Sequence, residues 1–109
     1  MKEHAPELRP YIVLVDDNIH YMDESERYEL GRFATLADAI EVCRRLTMES
    51  LEHLYQPGMS AEALYDHYVS FGDDPFVVGP GQTEPPFSAR KFAKSAAALV
   101  VQMMASDSR

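Results

Sequence analysis

The apolar positions of the chain fall into two kinds of spacing, and the change from one to the other divides it into elements. Residues 11–15, YIVLV, are apolar without a break, and Ile12, Val13 and Val15 are β-branched. Such a run predicts a strand covered on both faces. Asp16, Asp17 and Asn18 end it. Residues 27–33 alternate, with Tyr28 and Leu30 on one face and Glu29 and Gly31 on the other. This predicts a second strand with one wet side. Phe33 falls out of phase, so a bulge near Gly31 is expected.

After Thr35 the spacing lengthens. Leu36, Ile40, Cys43, Leu46, Leu51 and Leu54 form a stripe close to the helical repeat,. Thr35 is a fitting N-cap, with Asp38 three residues on as its capping-box partner. Gln56-Pro57-Gly58 breaks the helix. Ser60 caps the next one, Met59 and Leu64 have hydrophobic-staple spacing, and Leu64, Tyr68 and Phe71 share a side,. Gly72 is expected to close this helix in the left-handed conformation. Asp73-Asp74-Pro75 reads as a turn into a short third strand at 76–78. Gly79-Pro80-Gly81 and Pro85-Pro86 make the following stretch a stiff loop. Ser88 caps a last helix running to about Ala105, with Phe87 and Phe92 at staple spacing. The order β-β-α-α-β-α predicts one α+β domain over residues 1–109, a three-stranded sheet with helices packed on one face. Residues 1–9 and 106–109 are expected to be loose.

The last helix ends almost without polar residues: Gln102 stands alone in AAALVVQMMA. A surface helix needs a polar face. Either the helix is buried centrally, or it forms a contact between copies through Leu99, Val100, Val101, Met103 and Met104. The expectation is a homodimer through these residues.

A chain of 109 residues supports one modest core,. The net charge of −8 argues against a nucleic-acid partner,. The one cysteine, Cys43, excludes an internal disulfide and lies on the apolar stripe as a core residue,. No apolar run approaches the roughly 20 residues of a membrane span, and the N-terminus lacks a signal peptide's apolar core. A cytoplasmic setting is expected.

Candidate chemistry concentrates between the first two strands. Asp16, Asp17, Asp23, Glu24, Glu26 and Glu29 face one cation, Arg27, with His20 among them. Asp16, Asp17, His20, Asp23 and Glu24 are therefore the candidate binding residues, for a partner carrying positive charge. The alternative is a metal-dependent enzyme or a small-ligand domain using the same loop, but an EF-hand spacing is absent: Tyr21 and Arg27 stand where Gly and Glu are required,. Glu49 and His53 are four apart on a helix, and His67 with Asp66 lies on the next, without the spacing of a known metal site,. No nucleophile, phosphate-loop or catalytic motif is present, so no catalytic residue and no cofactor is assigned. A small-ligand pocket between the sheet and the 72–87 loop is a third reading. The last helix begins with Arg90, Lys91 and Lys94, charges unfavourable to the helix dipole, which calls for a compensating anion,.

Ile12 to Asn18 resembles the first strand and acidic pair of two-component receiver domains. A receiver needs a helix next and a later strand ending in an acceptor Asp. Here a second strand follows, and Asp73 and Asp74 precede their strand, so phosphotransfer is not expected. The wider set Pro10-Tyr11 to Asn18, His20 to Glu24, Glu26-Arg27-Tyr28, Gly31 and Tyr68 to Phe76 resembles a family of small uncharacterised bacterial proteins. That resemblance implies a bacterial, cytoplasmic, stand-alone domain and no assigned activity.

Overall fold

The structure, a computed structural model, describes residues 8–18, 27–82 and 84–107. Its elements are β1 (Tyr11–Asp17), β2 (Tyr28–Phe33), α1 (Leu36–Leu54), α2 (Ala61–Phe71), β3 (Asp73–Val78) and α3 (Ala89–Asp107). The β-β-α-α-β-α order and the α+β class are those expected. The sheet is antiparallel throughout, in the order β2-β1-β3.

Strand β1 is central, and its alternation places the core. Val13 and Val15 are fully buried, as are Pro75 and Val77 beside them on β3. Ile12 and Leu14, on the other face, are only half-buried. The expectation of two covered faces is corrected: the helices protect one face. The expected bulge is present. Val13 pairs with Gly31 and Leu14 with Glu29, which leaves Leu30 as the extra residue. Tyr28, Gly31 and Phe33 thereby come to one face, and Glu29 and Arg32 to the other.

The caps follow the sequence. Thr35 Oγ1 accepts from the Asp38 N–H at 3.1 Å, Ser60 Oγ from Ala63 at 3.1 Å and Ser88 Oγ from Lys91 at 3.3 Å. The Phe87 and Phe92 rings meet at 5.8 Å. The buried stripe of α1 is Ala39, Cys43, Thr47 and Leu51; Leu36, Ile40, Leu46 and Leu54 flank it. Thr47 is tolerated at its centre because its hydroxyl donates to the Cys43 carbonyl at 2.8 Å,. Burial pushes the Cys43 thiol up to about 11, and nearby Asp74 adds to it. The thiol stays protonated at neutral pH.

Three boundaries differ from expectation, one being that α3 runs to Asp107, past Ala105 and into the stretch expected to be loose. β1 runs on to Asp17, and β3 begins at Asp73, not at 76. Pro75 sits inside β3 because that strand is an edge,. Gly72 is extended (φ −83°, ψ 171°), not left-handed. A Cβ there would meet the Tyr68 ring, at 2.6 Å from Cε1, and the Tyr68 carbonyl at 2.9 Å. Glycine is needed for close approach, so the chain can pass straight from α2 into β3.

Helix α3 packs against both α1 and α2. Its small residues Ala89, Ala93, Ala96 and Ala97, with Val100, form the buried stripe. The alanines thus allow close approach within the chain. Val100 is enclosed by the chain's own core, Val101 and Met104 are half-buried, and Leu99 and Met103 are 50% and 39% exposed. Among the described residues no helix is long and apolar enough to cross a membrane.

Candidate functional site

The two Asp-Asp doublets meet. The antiparallel register sets Asp16 opposite Asp74 and Asp17 opposite Asp73. Directly opposed residues have their Cβ atoms about 4.5–5.5 Å apart, and like charges in such pairs are unfavourable. Alternation sends Asp17 and Asp73 to one face of the sheet and Asp16 and Asp74 to the other.

This acidic corner is rigidly mounted. The Asn18 N–H donates to the Gly72 carbonyl at 3.0 Å, and Asn18 Nδ2 to the Tyr68 carbonyl at 3.0 Å. The Tyr68 hydroxyl donates to the Asp73 carbonyl. The Asp73 N–H donates to Ser50 Oγ at 3.2 Å. Asp73 is therefore held by α1 on one side and α2 on the other, with its carboxylate left to the surroundings. The Tyr68 phenol is pushed far up, first by burial and then by Asp74; it remains a donor at any physiological pH.

The four acids are not equally answered. Arg27 grips Asp16 with two bonds, Nε to Oδ1 at 2.7 Å and Nη2 to Oδ2 at 3.2 Å. The same guanidinium lies 5.1 Å from the Phe76 ring centroid,. Burial raises the Asp74 carboxyl; Arg90 pulls it down and Asp16 pushes it up. Asp74 is thus an internal anion for the cationic start of α3. The Asp73 carboxyl is raised by burial and by Asp17, with His53 opposing. Burial and then Asp73 raise the Tyr28 phenol.

A cleft opens on each side. One, of about 380 Å³, is lined by Leu46, Glu49, Ser50, His53, Leu54, Phe71 and Asp73. It has two carboxylates, one imidazole and three apolar side chains, of which Phe71 is 52% exposed. The other, of about 340 Å³, is lined by Asp16, Asp74, Phe76, Pro85, Phe87, Ser88, Ala89 and Arg90. It lies between the sheet and the 79–88 loop.

Of the five candidate binding residues, Asp16 and Asp17 belong to this corner, while His20, Asp23 and Glu24 lie outside the described residues. Glu49 and His53 do come together, with Asp73 as a third lining residue; His67 instead contacts Phe71, ring to ring at 5.9 Å. Among the described residues no group of three or more His, Cys, Asp or Glu is arranged to hold a metal ion. Asp73, Asp74, Ser50 and Phe71 were not singled out as site residues from sequence. The available signal was the symmetry of the doublets, one closing the first apolar strand and one opening the last. Comparison with protein-family models, with curated proteins and with solved structures returns no match.

Proposed function

We propose that the protein is a non-catalytic interaction module whose Asp73 cleft takes a Lys or Arg side chain from a basic partner segment. The observation that carries this reading is Asp73 itself. It is a partly buried carboxylate set against another carboxylate and raised by both effects. Its backbone groups are secured by Tyr68 and Ser50, so the strand end is held without its side chain. A carboxylate kept where it is electrostatically unfavourable is a candidate for use.

The cleft suits an amphipathic cation. The aliphatic stem would lie along Leu46, Leu54 and Phe71, and the charged head would reach Asp73 and Glu49,. The net charge of −8 would steer a basic partner toward it,. The test is fluorescence anisotropy with a labelled Lys/Arg-rich peptide and a neutral Gln-substituted control. The full chain should bind the basic peptide, weaken with added salt, and lose affinity in an Asp73→Asn, Glu49→Gln double variant. Equal binding of both peptides would remove the reading.

A further inference from the structure

Strand β2 is a sheet edge: the order is β2-β1-β3, and among the described residues no strand pairs with its outer side. Edge strands are templates for pairing unless something blocks them. The sequence of β2 is YELGRF, and it reads as its own complement about the bulge. Counting Leu30 and Gly31 as one bulged position, the strand runs aromatic, acid, bulge, base, aromatic.

We infer that β2 pairs antiparallel with β2 of a second copy, with the Leu30–Gly31 bulge on the two-fold axis and Glu29 opposite the other copy's Arg32. Faces agree with this register. Glu29 and Arg32 share one face and already bond at 3.0 and 3.1 Å within the chain. Across the axis they form an alternating ring of four charges. Tyr28 and Phe33 share the other face, so each 48% exposed Tyr28 meets a Phe33 of the other copy, an aromatic cross-strand pair. A bulge ordinarily protects an edge by upsetting the residue count. Opposed to its own copy it upsets nothing, because two residues face two. The 40% exposed Leu30 then packs on its own counterpart. The product is a continuous six-stranded sheet. Five paired positions make a contact smaller than a standard interface of about 800 Å² per partner, so the dimer is concentration-dependent and weakened by salt.

The test uses full-length chains and sedimentation equilibrium. The wild type dimerises. A Glu29→Arg chain and an Arg32→Glu chain, each with like charges facing across the axis, are monomers when alone. Mixed one to one, they form a heterodimer, since each then offers what the other lacks. The bond within each variant chain stays broken, so rescue on mixing reads only the contact between chains. Circular dichroism checks that each is folded; should a reversal unfold the chain, Leu30→Lys replaces it, setting two cations on the axis and abolishing the dimer. A wild type monomeric up to about 1 mM, or variants that stay monomeric when mixed, overturns the inference. So does a dimer that survives both reversals and is lost in a Leu99→Glu, Met103→Glu chain, which places the contact on α3.

Discussion

The two margins of the sheet handle charge in opposite ways. On β2, Glu29 and Arg32 lie on one face and satisfy each other; Arg32 holds the Glu29 carboxyl below its ordinary value. On the β1–β3 side, acid opposes acid, and burial raises the Asp73 and Asp74 carboxyls. The same fold thus offers complementary pairing, but between the opposed strands β1 and β3 acid stands against acid. At Asp16 and Asp74 the chain answers with its own Arg27 and Arg90. At Asp73, His53 opposes the rise. On the proposed reading, the difference separates charge that serves the fold from charge offered to a partner.

The comparison depends on the acidic corner being rigid, and its mounting can be broken first. Gly72→Ala forces a methyl group into the Tyr68 ring and carbonyl. The expected loss is about 1–3 kcal/mol, read as a lower urea midpoint with the slope unchanged. Tyr68→Phe removes the donor to the Asp73 carbonyl and leaves that acceptor in a partly buried site. The expected loss is about 1–3 kcal/mol, with the anisotropy binding assay showing a weaker complex as well.

The charge itself is tested by Asp73→Asn. Burial raises the folded-state value of this carboxyl above its ordinary 3.8. Folding therefore favours the protonated form. The penalty is absent below the unfolded value, grows as pH rises through the folded value, and is complete at neutral pH. The variant should be more stable at pH 7 by about 0.2–1 kcal/mol, the scale of cross-strand pair energies, and the gain should vanish toward pH 3.8. Thermal melts across that range check it; a variant less stable than wild type at pH 7 would show that the carboxylate serves the fold. On β2 the smallest effect is expected. Arg32→Gln loses an exposed pair and should leave the melting temperature of the monomer unchanged within error,.

Most of the fold was legible because local signals agreed with tertiary demand. Thr35, Ser60 and Ser88 cap where their positions predicted, and the phase slip at Phe33 announced the bulge. The misses have physical causes. Gly72 looked like a helix-terminating glycine, but it is present for contact with Tyr68, a long-range fact. Pro75 disguised the start of β3, since proline argues against a strand unless the strand is an edge, and edge position is topology. The sequence could not show that the alanines of α3 lie against α1 and α2, which is again long-range packing. The acidic corner was half-legible: Asp16 and Asp17 were marked, but Asp73 and Asp74 read as a turn. Only the antiparallel register brings the doublets together.

Asp73 is proposed to cost the fold and serve a partner, and one paired measurement addresses both halves. Stability and affinity for a Lys/Arg-rich peptide are measured on wild type and Asp73→Asn at pH 7 and low salt. The prediction is opposite signs: the variant melts higher and binds at least about tenfold more weakly, consistent with a lost charged contact. A variant that melts higher and binds as tightly as wild type would contradict it, since the acidic corner would then have no part in recognition.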